Sequence, residues 1–218
     1  MTLKLDQGFL LSVQMPNKAA APKRTTPKQI SHLRQSVLVR DEHTCRFCGF
    51  HSSKFMDMVA RDSNPYHLNQ ENMVTACPFC RATLNAGTSG NEEMGQIIYL
   101  PQMTQAQLNW LVHAIALGHQ IKGRTTSTST VLLEELQQLS KVSESIWGEG
   151  ISSPTALTGI FHSLSSQHFR HRNQLFYGLR FLPDLDQYKR EIDYWYQTSY
   201  QKMTRDQFAK IYKQWFKK

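Results

Sequence analysis

The sequence of 218 residues contains no long hydrophobic run. No segment offers the roughly 18 consecutive apolar residues of a transmembrane helix, so none is expected. A short apolar patch near the start is interrupted by Asp6 and Gln14, which argues against a secretory signal peptide. With 40% hydrophobic and 19% charged residues, the composition is typical of a soluble protein.

Several motifs of common enzyme classes are also missing. The sequence has no GxxxxGK[ST] loop, so a nucleoside triphosphatase is not expected. No Ser/His/Asp set or Cys/His set with catalytic character stands out. We find no internal repeat and no long low-complexity tract, which argues against a repeat protein.

Basic residues outnumber acidic residues at both ends of the chain. The formal net charge is +8, distributed as +5 over residues 1–46, −3 over residues 47–164 and +6 over residues 165–218. Basic ends of this kind suit a nucleic acid, an acidic protein segment or an anionic membrane surface. They are equally consistent with a solvated basic surface that has no partner.

The four cysteines all belong to two Cys-x-x-Cys pairs, Cys45/Cys48 and Cys77/Cys80. Two disulfides are the alternative, but such short disulfides are usually redox-active, and no thioredoxin-like βαβ pattern surrounds either pair. Two pairs joined by a 28-residue segment supply four thiolates to one tetrahedral zinc ion in a reducing cytosol. Because four thiolates leave no open coordination position, we predict one structural Zn²⁺ bound by Cys45, Cys48, Cys77 and Cys80, and no catalytic metal.

The segment between the cysteine pairs, with Asn72 just before the second pair, resembles the finger of HNH-type nucleases. That family has a His-His pair at the end of the first strand, and a further His commonly follows the second cysteine pair. Counting back from the turn at 62–65, the His-His positions hold Val59 and Ala60, and the later position holds Arg81. These side chains neither accept a proton nor bind a divalent cation. The resemblance therefore implies a degenerate site, and we predict that the protein is not an enzyme.

Two histidines leave a different interpretation open. His51 or His67 could in principle lie near Asp57 or Asp62 and rebuild a metal site. Neither histidine has the spacing that the nuclease family uses. Surface histidines on loops are the interpretation we favour.

Hydrophobic periodicity predicts mostly helices outside the cysteine region. Helices are expected at 28–41, from the Thr104-x-x-Gln107 capping box to a C-cap at Gly118, and at about 131–147, 166–180, 184–200 and 204–217. Other segments are expected to be a strand or hairpin edge at 3–14, connectors at 15–29 and 123–130, a loop at 85–96, and a strand at 97–101. One side of the 131–147 helix is expected to carry Leu132, Leu136, Leu139 and Ile146.

Four stretches carry a more specific resemblance: RDEHTCRFCGF (40–50), ENMVTACPFC (71–80), IIYLPQMTQAQLN (97–109) and GEGISSPTA (148–156). In this order they resemble the IcmJ (DotN) family of the Dot/Icm type IVB secretion machinery. The resemblance implies an HNH-like zinc fold without nuclease activity, in a coupling complex at the bacterial inner membrane. It also implies binding to the C-terminal extension of the coupling ATPase DotL, alongside DotM and the IcmS–IcmW adaptor pair.

These observations predict an α+β protein with an HNH-like, zinc-stapled ββα core, surrounding α-helices and a helical C-terminal region. We expect 1–29 to be an N-terminal strand and basic connector, 30–101 the zinc-binding core, and 102–218 a helical region packed on it as one compact unit. The predicted function is a non-catalytic zinc-binding adaptor, cytoplasmic and attached to the inner membrane through its partners, with no nucleic acid bound. The alternatives are a metal-dependent HNH-type nuclease and a zinc-dependent nucleic-acid-binding protein.

Overall fold

A computed structural model describes residues 26–62, 66–86, 94–120 and 124–200. The strand predicted at 3–14, most of the connector at 15–29 and the helix predicted at 204–217 lie outside these residues. The described elements, in chain order, are α1 (Pro27–Arg40), β1 (Asp57–Ala60), β2 (Met73–Ala76), α2 (Pro78–Leu84), β3 (Gly95–Tyr99), α3 (Gln105–Gln120), α4 (Arg124–Trp147), α5 (Pro154–Ser163), α6 (Ser166–Arg170), α7 (Arg172–Leu175), β4 (Leu179–Pro183) and α8 (Lys189–Trp195). The predicted α+β class is confirmed.

Helix α1 begins where local sequence signals place it. The Thr26 side chain accepts a hydrogen bond from the Gln29 N–H, and the Gln29 side chain accepts one from the Thr26 N–H. Pro27 occupies the first turn, where its missing N–H costs nothing. Val37 and Leu38 are buried, whereas Ile30, near the start of the helix, is 36% exposed.

A hairpin followed by a helix forms the part of the fold that carries the cysteines. Strands β1 and β2 pair antiparallel, with Asp57 opposite Ala76 and Ala60 opposite Met73. All four residues of β2 are buried, and α2 follows directly after Cys77. Helix α1 packs against both strands. The cysteine pairs therefore lie between α1, the hairpin and α2.

The second sheet joins residues that are far apart in the sequence. Strands β3 and β4 pair antiparallel, with Gly95 opposite Pro183, Ile97 opposite Phe181 and Tyr99 opposite Leu179. The prediction of a helix over 166–180 is wrong in its second half, because the helices end at Leu175 and β4 begins at Leu179. Strand β4 also shows that the region after residue 102 is not purely helical. Its pairing partner lies about 80 residues earlier, where local periodicity cannot reveal it.

Helices α3 and α4 correct two further expectations. The polar segment 123–130 was expected to be a connector, but α4 starts at Arg124 and Ser129 is buried. Gly118 is not a C-cap, because it is buried within α3, which continues to Gln120. Helix α4 packs along α3 and β3. These tertiary contacts outweigh the free-energy cost of placing serine, threonine and glycine in a helix. That cost is at most about 1 kcal/mol per residue relative to alanine.

The end of α4 agrees with the sequence, and the helix after it was missed. Gly148 follows α4 with a φ of 102°, a left-handed conformation that favours glycine. Leu136 is buried on the expected apolar side of α4, but Leu132 and Ile146 are exposed. Helix α5 was not predicted, although the Ser153 side chain caps it by accepting a hydrogen bond from the Ala156 N–H.

One contiguous apolar cluster extends through both sheets and the surrounding helices. Its largest fully buried side chains include Phe50, Phe79, Phe161, Phe181 and Trp195, and the four cysteines belong to the same cluster. The 3₁₀ turn Leu185–Tyr188 and α8 bring Trp195 into this core, in agreement with a helix predicted from 184. None of the helices in the described segments is long and apolar enough to cross a membrane.

Candidate metal centre

Local backbone structure positions each cysteine pair. After α1, the Cys45 carbonyl accepts a hydrogen bond from the Gly49 N–H, and Gly49 has a φ of 76°. This tight turn places Cys45 and Cys48 on the same side. Cys77 caps the N-terminus of α2, and its sulfur accepts a hydrogen bond from the Cys80 N–H at 3.5 Å. The Arg46 N–H donates to the Thr75 carbonyl at 2.8 Å, which ties the first pair to β2 beside the second.

The four cysteine sulfurs converge on one point. They all lie within 4.8 Å of one another, the Cys48 and Cys77 sulfurs are 3.6 Å apart, and no disulfide joins them. All four cysteines are at most 1% exposed. Four sulfurs about 2.3 Å from a tetrahedral zinc ion would be roughly 3.8 Å apart, so this arrangement fits such an ion. Among the described residues, no other group of His, Cys, Asp and Glu side chains has comparable metal-binding geometry.

The thiols of the centre do not titrate alike. Burial raises the pKa of Cys48, Cys77 and Cys80, and proximity to Cys45 raises it further. Burial also disfavours the Cys45 thiolate, but hydrogen bonds from the other three cysteines outweigh burial and hold its pKa well below the ordinary value. A bound cation must therefore displace protons from the remaining thiols, and metal affinity falls as the pH falls.

Helix α3 supplies polar contacts to the sulfurs that sequence reasoning missed. The Asn109 side-chain amide donates to the Cys80 sulfur at 3.1 Å, and the His113 Nε2 lies 3.6 Å from the Cys77 sulfur. One turn before Asn109, Gln105 donates to the Asn109 side-chain carbonyl at 2.9 Å. Gln105, Asn109 and His113 are all buried. Their four-residue spacing on an otherwise apolar helix face is a signal that the sequence contains.

The His113 ring lies in an aromatic cage. It stacks on Phe50 with ring centroids 4.0 Å apart and contacts Phe79 at 4.3 Å and Trp195 at 5.1 Å. Burial lowers the pKa of His113 to about 3. The ring is therefore neutral at physiological pH. Its contacts join α8 and the first cysteine turn to α3, so the surroundings of the centre depend on elements distant in sequence.

The positions aligned with the HNH histidines carry no ligand for a second metal. Val59 is buried in β1, and Ala60 ends that strand. Arg81 follows Cys80 and forms an ion pair with Asp57 at 2.8 Å, and Arg34 binds the other oxygen of the same carboxylate at 2.8 Å. The two guanidinium groups occupy both oxygens of Asp57. A divalent cation at this carboxylate would meet two fixed positive charges.

One of the two histidines considered from the sequence does meet a carboxylate. His67 Nδ1 lies 2.7 Å from Asp62 Oδ2, and the Asn72 amide donates to Asp62 Oδ1 at 2.9 Å. The Asn69 amide lies 2.8 Å from the other ring nitrogen of His67. His51 is exposed, in a single β-bridge with Thr44. The Asp62 carboxylate thus joins the His67 and Asn72 side chains in one cluster at the end of the hairpin.

The comparisons with known proteins agree with the resemblance seen in the sequence. No protein-family model matches the chain. The chain is similar to the type 4 apparatus protein DotN of Legionella pneumophila, with 29% identity over 175 residues, which cover 79% of this chain and 81% of that protein. The resemblance to IcmJ (DotN) is confirmed, and it extends through most of both chains.

Proposed function

Because of this similarity to a type 4 apparatus protein, we propose that the chain is a non-catalytic, zinc-binding adaptor of a type IVB secretion coupling complex. In this role it binds the C-terminal extension of a DotL-like coupling ATPase and helps to recruit substrates for export. DotM-like and IcmS/IcmW-like subunits are the neighbours expected in the complex. The observation that carries the proposal is the match over 79% of the chain. The protein would be cytoplasmic and attached to the inner membrane through these partners.

The proposed metal is a single structural Zn²⁺. Four buried sulfurs within 4.8 Å of one another support this assignment, because tetrahedral thiolate sites are typical of zinc. When bound, the ion supplies cross-linking energy and no open position for substrate or water. Cys45, Cys48, Cys77 and Cys80 would hold the ion, and Asn109 would stabilise the charge on Cys80. Metal analysis of the purified protein is expected to give one zinc ion per chain.

The β1–β2–α2 unit is proposed to be a degenerate HNH finger. A hairpin followed by a helix, with one cysteine pair before the hairpin and the other at the start of the helix, supports this assignment. The absence of nuclease activity is supported by Val59 and Ala60 at the former histidine positions and by the Arg81–Asp57 ion pair. Val59 and Ala60 offer no proton acceptor at the positions where the family has its histidines, so these positions cannot activate water.

The adaptor proposal is tested by a binding experiment with the coupling ATPase. The zinc-loaded chain is passed over the immobilised C-terminal extension of the ATPase, with the ATPase lacking that extension as the control. We expect stoichiometric retention by the extension and none by the truncated ATPase. Failure of the zinc-loaded, folded chain to bind the extension would refute the proposal.

The nuclease alternative is favoured by one observation, the contact between Asp62, His67 and Asn72 at the end of the hairpin. Incubation with plasmid DNA and Mg²⁺ or Mn²⁺ separates the two functions. The adaptor leaves the plasmid intact. Cleavage that is abolished by chelation and by His67→Ala would instead assign catalysis to this cluster.

The alternative of a nucleic-acid-binding protein is separated by its dependence on salt. Such a protein would bind oligonucleotides with an affinity that falls steeply as salt is raised, because each neutralised phosphate releases counterions. The adaptor is expected to show little specific binding of nucleic acid at physiological salt. Fluorescence anisotropy with labelled DNA and RNA measures this difference.

A further inference from the structure

We propose that the groove between α1 and α8 is the docking site for an acidic segment of a protein partner that also carries apolar side chains. This inference rests on the adaptor role and assigns to it a place on the molecule. The groove has a volume of about 950 Å³, and its walls come from α1, from the segment 53–56 before β1, from α8 and from the π-helix Tyr196–Tyr200 that follows α8. The residues that carry the argument are Arg34, Val39, Lys54, Phe55, Arg190 and Tyr194.

Positive charge dominates the groove. Its lining includes three cationic side chains, Arg34, Lys54 and Arg190, and one carboxylate, Asp193. Arg34 is paired with Asp57, but neither Lys54 nor Arg190 forms an ion pair with any residue that the structure describes. Both are exposed. Two exposed cations without a carboxylate partner favour a ligand that brings its own carboxylates.

The two cations are held in place by aromatic rings. The Lys54 ammonium lies 5.0 Å from the centroid of the Tyr194 ring, and the Arg190 guanidinium lies 5.4 Å from that of Phe55. The two rings meet edge to face at 5.4 Å, and the Tyr194 hydroxyl lies 2.8 Å from the Ser53 hydroxyl. The cations are therefore pre-positioned, which lowers the entropy that a ligand must offset on binding.

The backbone at Phe55 gives an independent indication of function. Phe55 has a φ of 64°, a left-handed conformation that is costly for a bulky residue. Such conformations occur mainly where the surrounding structure over-determines them, often at binding sites. Here the conformation places the Phe55 ring against Tyr194 and beneath Arg190. This backbone conformation thus makes the Phe55 ring part of the groove wall.

One exposed apolar side chain, that of Val39, lines the groove together with the cations. Val39, on α1, is 63% exposed, whereas Leu38 next to it and Met56 across the groove are buried. An exposed valine here offers a contact for an apolar side chain of the ligand. A segment in which acidic and apolar residues alternate would satisfy Val39, Lys54 and Arg190 together.

An acidic peptide fits these features better than a nucleic acid does. Binding of single strands relies on open aromatic faces for base stacking. The Phe55 and Tyr194 rings are instead half-buried, packed on each other and covered by the two cations. The concave shape of the groove also suits a peptide segment better than a flat anionic membrane.

The test measures peptide binding by fluorescence anisotropy with the full zinc-loaded chain. The probe is a labelled synthetic peptide in which pairs of Glu alternate with pairs of Leu, and a peptide with Lys in place of Glu is the control. We expect only the acidic peptide to bind, with an affinity that weakens as salt is raised. The double variant Lys54→Glu/Arg190→Glu should lose about tenfold or more in affinity, since two favourable exposed contacts become repulsive.

A matched double variant, Lys141→Glu/Arg170→Glu, makes the same charge change at exposed positions outside the groove and should bind like wild type. Unchanged zinc content and melting temperature in both variants show that the fold is intact. Equal loss of affinity in the two variants, or none in the groove variant, would overturn the proposal. So would a groove variant that loses binding to DNA or to phosphatidylglycerol vesicles while it retains the acidic peptide.

The same variants distinguish this inference from the adaptor role itself. If the groove variant still binds the ATPase extension like wild type, the adaptor role stands and the groove is not its docking site. If wild type does not bind the extension but binds the acidic peptide through Lys54 and Arg190, the adaptor role fails and the groove is retained.

Discussion

At the scale of single residues, Asn109 is expected to influence how tightly the cysteine centre holds the proposed zinc ion. Its amide donates to the Cys80 sulfur at 3.1 Å, and Gln105 fixes its orientation. Removing such a contact around a metal ligand typically lowers metal affinity about 10- to 100-fold. Asn109→Leu is therefore expected to release zinc to a chromogenic chelator about 10- to 100-fold faster than wild type.

The control for Asn109 is Ser143→Ala, which removes a buried hydroxyl that lies 2.6 Å from the Ser140 carbonyl and 3.3 Å from the Ile97 carbonyl and forms no hydrogen bond to a cysteine. This variant is expected to lower the melting temperature without accelerating zinc release. Equal release rates in Asn109→Leu and wild type would show that the amide has no influence on the metal.

Asp41 is a second residue whose role appears only in the structure. Asp41 is 8% exposed, and its carboxylate accepts hydrogen bonds from the Arg40 guanidinium at 2.9 Å and from the Thr75 N–H at 2.8 Å, which joins α1 to β2. Burial alone would raise its pKa, but the hydrogen bonds from Arg40 and Thr75 outweigh burial and hold the pKa below 3.8. Because the folded-state pKa is depressed, the stabilisation is present above pH 3.8 and is lost as the pH falls through the folded-state pKa.

Asp41→Asn is therefore expected to lower the free energy of unfolding by about 1–3 kcal/mol, by weakening a buried charged hydrogen bond. The difference from wild type should stay constant between about pH 5 and pH 8, because the carboxyl is ionised in both states there. Glu42→Gln, at the exposed neighbouring position, should change stability by less than about 0.5 kcal/mol. Urea unfolding across this pH range is the measurement, and a difference that varies within it would contradict the assignment.

At the scale of elements, the approach of β4 to β3 depends on a glycine at position 178. Gly178 precedes β4 with a φ of 86°, and a Cβ atom there would lie 2.4 Å from the Tyr99 ring. Gly178→Ala is expected to destabilise the protein by more than about 1 kcal/mol, through both backbone strain and this clash. The change is measured as a shift in the urea midpoint.

Gly159 provides the matched control for Gly178. It lies exposed in α5, and a Cβ atom there meets nothing within 4 Å. Gly159→Ala should stabilise the protein by up to about 1 kcal/mol, because alanine has the higher helix propensity. A similar loss of stability in both variants would mean that the close approach of Gly178 to Tyr99 is unimportant.

The elements also show where sequence reasoning succeeds. Helix α1, the capping box of α3 and the stop at Gly148 are visible in the sequence, because caps act within a few residues. Strand β4 and the first turns of α4 are not visible in the sequence, because their stability comes from packing against β3 and α3. Local propensity competes poorly with contacts of that kind.

At the scale of the whole molecule, the metal should behave as part of the core. The four cysteines share one apolar cluster with residues of both sheets and of α3, α5 and α8. Zinc binding free energy is folding free energy, about 10–16 kcal/mol in small zinc-finger peptides. Chelation of zinc is thus expected to lower the melting temperature of the whole chain in a single transition, measured by circular dichroism.

Cys77→Ser extends this prediction to a variant that loses one ligand. Readdition of zinc should restore the melting temperature of chelated wild type but not that of Cys77→Ser. A variant that lacks zinc and melts like wild type would show that the metal is incidental to the fold. Separate transitions for the hairpin region and for the β3–β4 sheet would show that the core is not one cooperative unit.

The sequence by itself determined the four convergent cysteines, the α+β class and the resemblance to IcmJ (DotN), because ligand spacing and motif order are properties of the linear chain. Only the tertiary structure decided which side chains surround the sulfurs, since Asn109 lies 29 residues beyond Cys80 and His113 lies 36 residues beyond Cys77. It also decided that Lys54 and Arg190 share one groove, because their meeting depends on how α8 packs beside α1. Contacts between distant segments follow from how the core packs, which no short stretch of sequence encodes.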